Sequence, residues 1–198
     1  SSIMHDIVRK FSAGKKINVE KISDSKLQLE SEKSLFKLNC IDAKEFPLSE
    51  DDQSGETTTL NSQSFLKLLN KCKFSISNDE TRHYLSGIFL HFNQNDDKNY
   101  LTAVSTDSHR MSISKMKLDE QIKFEPIILP KKTIYQLCSI LENFNGNIKI
   151  INSKSKIKFL LNNSILTSKV IDGKFPNYIQ VIPKNNNKRL EANLELFH

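Results

Sequence analysis

The chain repeats itself at long range, and that repeat limits the architectures open to it. Ile41-Asp42-Ala43-Lys44-Glu45-Phe46-Pro47 returns as Ile171-Asp172-Gly173-Lys174-Phe175-Pro176, with the two Ile-Asp pairs 130 positions apart. Upstream in the same register, Ser25-Lys26-Leu27-Gln28-Leu29 matches Ser155-Lys156-Ile157-Lys158-Phe159, and Leu35-Phe36-Lys37-Leu38 falls on Ile165-Leu166-Thr167-Ser168. Further back, an apolar-periodic stretch ending near Gly14 matches one ending near Gly146, 132 apart, so a small gap enters. A repeat of this length is domain-sized. It predicts a partial unit over 1–55 that closes with the polar, acidic linker 49–55, and a complete unit over 56–183. A polar break, Lys184-Asn185-Asn186-Asn187-Lys188, then precedes the start of a further unit within 184–198.

Inside the complete unit the pattern doubles again. Thr57-Thr58-Thr59-Leu60 reads as a strand entry, and Asn61-Ser62 can cap a helix with Phe65, Leu68, Leu69 and Cys72 at helical spacing. Strand-like runs follow at 84–92, 99–105 and 111–117, the last alternating Met111 and Ile113 with Ser112 and Ser114. A strand over 125–129 leads to Pro130, which starts a helix with Ile134, Leu137, Cys138 and Leu141 on one face. Three more strands are predicted at 147–151, 156–161 and 164–171. Each half is therefore strand, helix, three strands. Two helices on one face of a largely antiparallel sheet make an α+β domain.

Composition narrows the function. The 198 residues carry 29 Lys+Arg against 23 Asp+Glu, a net charge of +6, with 37% hydrophobic residues and only five Gly and five Pro. Collagen-like, low-complexity and disordered classes are excluded. Apolar runs such as Ile127-Ile128-Leu129 are far shorter than the ~20 residues of a membrane span, and no charged-then-apolar leader opens the chain. Cys40, Cys72 and Cys138 form no CxxC pair, so reduced, partly buried thiols of a cytoplasmic protein are expected. The excess charge is mostly lysine, the arginines being Arg9, Arg82, Arg110 and Arg189.

Enzymatic chemistry finds little support. Thr106-Asp107-Ser108-His109-Arg110 holds the residue types of a catalytic triad, but neighbours on a strand point to opposite faces, and a triad joins distant parts of a chain. A polar turn between two strands is the simpler reading. The histidines His5, His83, His91, His109 and His198 lack metal-ligand spacing, so no metal site is expected, and surface or turn positions are the default. Asp51-Asp52 and Asp96-Asp97 read as loop carboxylates, and no phosphate-binding glycine loop is present. The lysines are more informative. Lys67, Lys71 and Lys73 decorate the first helix of the complete unit, Lys131 and Lys132 open the second, and Arg9 and Lys10 lie on the helix of the earlier half-unit. A solvated helix face explains each singly; together they suit a surface that touches phosphates without reading bases.

Several motifs resemble one family. Val104-Ser105-Thr106-Asp107-Ser108-His109-Arg110-Met111 is similar to the TDxHR-hydrophobic motif of the bacterial sliding clamp, the beta subunit of DNA polymerase III. The segment 166–178, with Ser168-Lys169-Val170-Ile171-Asp172-Gly173-Lys174-Phe175-Pro176-Asn177-Tyr178, resembles its SKL-hydrophobic-DGxFPDY stretch, followed by Val181-Ile182-Pro183. Thr81-Arg82-His83-Tyr84-Leu85-Ser86-Gly87 resembles its R-Y-Y-L-N-G stretch. The resemblance runs over essentially the whole chain, in order.

What the resemblance implies is specific. It implies the clamp fold, with three domains per chain and two chains closing head-to-tail into a ring around double-stranded DNA, helices lining the hole. The function would be processivity of the replicative polymerase, with no catalysis and no cofactor. Expected partners are DNA, the DNA polymerase III alpha subunit, the clamp loader and other clamp-motif proteins. Carried over by position, a peptide-binding pocket would use Arg82, Leu85, Thr106, Ser108, His109, Arg110, Met111, Pro176 and Val181. DNA contacts would come from Arg9, Lys10, Lys67, Lys71, Lys73, His83, Lys131 and Lys132. Ser108 stands where the family often has Gly, His83 where it has Tyr, and Gln180 where Arg is frequent. The chain opens without Met and matches one and a half clamp domains, so a fragment is expected, unable to close a ring and weak in binding motif peptides. An open edge is expected at the strand over 33–38. The rival reading is a stand-alone nucleic-acid-binding module using the lysine-bearing helices.

Overall fold

The computed structural model describes residues 2–46, 55–95 and 97–197. Ser1, Pro47, the linker residues 48–54 with Asp51 and Asp52, Asp96 and His198 lie outside the described residues. The chain divides into two compact units, 1–52 and 53–198.

The first unit opens with helix α1 (Ser2–Val8), which ends before Arg9 and Lys10, the residues expected on it. The chain leaves the helical path so that Phe11 can pack edge-on against Phe36, with ring centroids 5.8 Å apart. Arg9 and Lys10 therefore sit in the turn after the helix, not on it. Strands β1 (Asn18–Ser23), β2 (Lys26–Ser31) and β3 (Ser34–Asn39) form an antiparallel sheet in that order. Cys40 beyond it is exposed, where a partly buried thiol is expected.

The second unit contains β4 (Glu56–Asn61), α2 (Ser62–Asn70), β5 (Gly87–Asn95), β6 (Lys98–Thr106), β7 (Met111–Leu118) and β8 (Ile127–Pro130). It continues with α3 (Lys131–Glu142), β9 (Asn147–Asn152), β10 (Lys156–Leu161), β11 (Ser164–Lys169) and the exposed terminal turn α4 (Leu194–Phe197). Asn61 caps α2, its side chain accepting from the Ser64 amide. The strand–helix–three-strand order of each half holds. The single sheet expected does not: there are two four-stranded sheets, β11-β10-β9-β4 and β7-β6-β5-β8. Each half sends its first strand into the other half's sheet, β4 pairing with β9 and β8 with β5. One isolated bridge, Ile128 to Ile171, ties the two sheets where β8 passes the chain leaving β11.

Helices α2 and α3 pack on each other and on the sheets. The main core gathers Phe65 and Leu69 from α2, Ile134, Leu137 and Leu141 from α3, and strand residues such as Ile88, Leu90, Ile148 and Phe159. Burial pushes the Cys72 thiol up to about 11 and also raises Cys138, as inert core thiols require. Two local details depart from the sequence pattern. The run from residue 84 becomes strand only at Gly87, because 80–85 coils into a 3-10 segment whose entry is capped by Asp79. In the first half of β7 the serines face inward: Ser112 and Ser114 are buried while Ile113 is exposed, and Met116 and Leu118 continue the same inward face against the core. Ser112 Oγ lies 2.8 Å from Ser75 Oγ, so small paired hydroxyls fill the space below the 3-10 turn Lys73–Ser75.

The repeat is visible as hydrogen-bond register. Lys26 pairs with Asn39 and Lys156 with Lys169, and the match at 130 holds for each partner through Ser31–Ser34 and Leu161–Ser164. The turn residues Glu32 and Asn162, also 130 apart, both take positive φ, 52° and 44°. The small gap enters at the next strand, where Val19 faces Leu29 and Ile150 faces Phe159.

Candidate functional site

The lysines named from the sequence separate into groups. Along α2, Phe65, Leu66, Leu68 and Leu69 are buried, leaving Lys67 exposed on the opposite side. Lys71 is the C-cap of that helix, where a cation complements the helix dipole, so Lys67 and Lys71 are also explained by helix stability alone. Lys131 and Lys132 are different. They occupy the first turn of α3, where the dipole disfavours a cation, and that turn holds no acidic residue. Lys73, on the 3-10 turn after α2, reaches the same place. Its Nζ and that of Lys131 each lie 5.9 Å from the centroid of the Tyr135 ring. Lys131 Nζ also donates to Asn78 Oδ1. Among the described residues, Lys73, Lys131 and Lys132 make no ion pair with a carboxylate. The result is an unneutralised cationic end on the helix layer, beside helix amides that favour anions. Arg9 and Lys10 are exposed in the other unit. His83 is exposed as well, but turns elsewhere: its Nε2 lies 3.2 Å from the Asp172 carbonyl oxygen.

A second set of residues builds the turn between β6 and β7. The Asp107 carboxylate accepts from the amides of His109 and Arg110, 3.0 Å each, and its other oxygen accepts from Arg110 Nε at 3.0 Å. These bonds, chiefly the backbone ones, hold its pKa down at about 2. Thr106 Oγ1 donates to the Arg110 carbonyl and accepts from the Ser108 amide. Ser108 takes φ of 77°, a conformation that favours glycine, and its hydroxyl accepts from an Arg82 guanidinium nitrogen at 2.6 Å. Arg82 Nε donates in turn to Asp79, which also accepts from Thr81 and is held down at about 2. Arg82, Thr106, Ser108, His109 and Arg110 are thus one connected hydrogen-bonded surface. The Arg110 guanidinium carbon stands 5.6 Å from the centroid of the exposed Phe74 ring.

Beside that surface is a second apolar cluster, separate from the main core. Leu85, Val104, Ile128 and Phe175 are buried in it, with Tyr84, Phe89, Met111, Ile171 and Tyr178 packed against them. It exists because β5 alternates: Ile88 and Leu90 enter the main core, and Phe89 and His91 face the other way. The segment after β11 returns over this second face as a strap. Phe175 stacks on Phe89 with centroids 5.0 Å apart and planes 7° apart, and the Ile171 amide donates to Ile128 at 2.9 Å. His91 Nε2 lies 3.0 Å from the Tyr178 hydroxyl. His91 is therefore a half-buried strand histidine rather than a surface or turn one, and burial lowers its pKa while raising that of Tyr178. Leu85 and Met111 belong to this cluster, and exposed Pro176 adjoins it through Phe175. Val181, 66% exposed, stands outside it.

Known proteins agree with this architecture. The family model for the DNA polymerase III beta subunit, central domain, matches residues 59–177. The chain belongs to the beta sliding clamp family. It is 35% identical to the beta sliding clamp of Rickettsia felis over 198 residues, 98% of this chain and 51% of that protein. It is 32% identical to that of Caulobacter vibrioides over 196 residues, covering 98% and 53%. The crystal structure of the Bartonella birtlesii sliding clamp bound to griselimycin superposes with a TM-score of 0.85 at 34% identity, over 94% of this chain and 50% of that one. The chain thus spans about half the length of the clamps it matches. The match to a central clamp domain falls within the second unit, which holds both the Thr106–Met111 turn and the cationic end of α3. Sequence reasoning did not reach Asp79, Phe74, Tyr135 or His91. Two signals were readable, a capping aspartate three positions before Arg82 and a lysine one helical turn before Tyr135, whereas the partners of Phe74 and His91, Arg110 and Tyr178, come from distant segments.

Proposed function

We propose that this chain is the part of a sliding clamp that contributes one phosphate-facing helix pair and one wall of a partner-binding pocket. In this reading 1–55 is the back half of a first domain with its linker, 56–183 a complete middle domain, and 184–198 the start of a third. The whole protein encircles double-stranded DNA as a two-chain ring in the cytoplasm and tethers the polymerase III alpha subunit, the clamp loader and other motif-bearing proteins. It performs no catalysis and needs no cofactor. The observation that carries the reading, beside family membership, is the end of α3. Lys73, Lys131 and Lys132 lie there with no carboxylate ion pair among the described residues, beside helices whose apolar faces enter the core. Long, flexible ammoniums attract phosphates without selecting bases, which is the property a sliding surface needs.

The pocket wall is the Arg82–Ser108–Thr106–His109–Arg110 surface with Leu85 and Met111 beneath it, and Pro176 and Val181 at its margin. Apolar anchors flanked by oriented donors suit a short peptide. Two measurements on the 198-residue chain test the assignment. Duplex binding is expected to be weak, equal among unrelated sequences and steeply reduced by salt. Tight, sequence-selective binding would instead make the chain a stand-alone DNA-binding module. Sedimentation with peptide titration is expected to show no closed two-chain ring and weak capture of clamp-motif peptide; a stable ring with micromolar peptide affinity would overturn the domain assignment.

A further inference from the structure

We infer that Tyr135 is a positioning residue of the cationic surface: its ring holds Lys73 and Lys131 in place for phosphate contact. The inference rests on the proposed DNA-facing role of α3 and adds a residue to it. Tyr135 is not part of the fold's apolar economy. The stripe of α3 that enters the core is Ile134, Leu137, Cys138 and Leu141, and Tyr135 lies off it with 48% of its surface exposed. What the ring touches is charge. The ammoniums of Lys73 and Lys131 come from different elements, sit 5.9 Å from its centroid, and have no carboxylate partner among the described residues.

Two like charges brought to one ring repel, and Lys131 also opposes the helix dipole. Nothing in the folding of α3 requires that arrangement. The ring quadrupole offsets part of the repulsion at this distance. It also restricts two side chains that otherwise hold many rotamers, so less ordering remains when a phosphate arrives. Asn78 fixes Lys131 from the other side. Lys73 has Tyr135 as its ring partner, and so depends on it more.

The role makes a distinctive prediction, because a positioning ring carries no charge. In fluorescence anisotropy with a labelled duplex over a salt series, Tyr135→Leu should weaken binding by about three- to tenfold while the slope of log affinity against log salt stays at the wild-type value. Tyr135→Phe, which keeps the ring, should bind like wild type. Lys131→Gln should weaken binding and reduce the slope by about 0.9, one phosphate contact. Thermal melting of each variant checks folding, which an exposed side chain should leave intact. If the wild type binds with a steep salt slope and Tyr135→Leu binds as well, the inference is overturned and the proposed function stands. If Tyr135→Phe loses as much as Tyr135→Leu, the phenol hydroxyl makes the contact and the positioning role is wrong. If the wild type shows no salt-dependent binding at all, the DNA-facing reading of α3 fails and this inference with it.

Discussion

Replacing Phe175 with alanine should detach the strap that follows β11. Phe175 is 7% exposed, stacks on Phe89 at 5.0 Å, and is one of four buried residues of the second cluster. A Phe→Ala change in a core costs about 3–5 kcal/mol. This cluster is small, and exposed Pro176 borders it, so water can enter where the ring was; the lower figure of about 3 kcal/mol applies. For a unit of this size that corresponds to about 6–12 °C in the melting of the larger unit. Urea unfolding read by tyrosine fluorescence measures the first number, and scanning calorimetry the second. Hydrogen exchange adds the location. The Ile171 amide donates to Ile128 at 2.9 Å in the isolated bridge that ties the two sheets, and its protection should fall with the strap. Phe175→Leu should restore most of the stability. A Phe175→Ala protein within about 1 kcal/mol of wild type, with Ile171 still protected, would refute the idea that the stack holds the strap.

Other consequences can be measured alongside. His91 has a lowered pKa because it is buried, so just below pH 6.5 the unfolded chain binds more protons than the folded one. Stability should rise with pH there and be lost as pH falls from 6.5 through the lowered folded value; denaturant melts of His91→Gln should show a flatter profile. Gly87 faces Pro130 in the β5–β8 ladder, and an added Cβ would collide with the Leu129 carbonyl oxygen, so Gly87→Ala should destabilise the larger unit by about 1–3 kcal/mol in urea titration. The first unit buries only Leu29 and Ser31 among its described residues, so its amides should exchange faster than those of α2 and α3, and native-state exchange will show whether they do.

The repeat, helices α2 and α3, and β10 were legible because each has a strong periodic or long-range signal. Residues 156–161 fall on β10 with no adjustment. The Thr106–Met111 turn was legible because capping residues act locally: Asp107 and Thr106 bind amides and carbonyls within four positions. What sequence could not supply was partner choice between distant segments. The exchange of β4 and β8 between halves leaves no mark in either strand's own pattern. Ser112 looks solvent-facing until Ser75, 37 positions away, is placed against it. Tyr135 and His91 are unremarkable residues until Lys73 and Tyr178 arrive from elsewhere in the chain.

The exchange of first strands also explains which edge of the smaller unit is exposed. By register, β1-β2-β3 corresponds to β9-β10-β11. In the larger unit β11 has a ladder on one side only, apart from the single bridge at Ile171, so the open edge expected over 33–38 is what this architecture provides in the larger unit as well. The difference lies at the other end of the sheet. β9 has β4 against its outer side, whereas β1 pairs only with β2 among the described residues. Ile150 is fully buried, but Val19, which holds the equivalent ladder position, is 55% exposed. Composition does not account for that contrast, since both are β-branched apolar residues facing a partner strand across the same ladder. Topology does: Ile150 lies in a sheet that β4 extends and that packs in one core with α2 and α3, whereas β1 has no second partner strand among the described residues. An apolar edge of this kind invites pairing with another chain, so concentration-dependent association in sedimentation should weaken with Val19→Lys. Association untouched by that charge would place the sticky surface elsewhere than on β1.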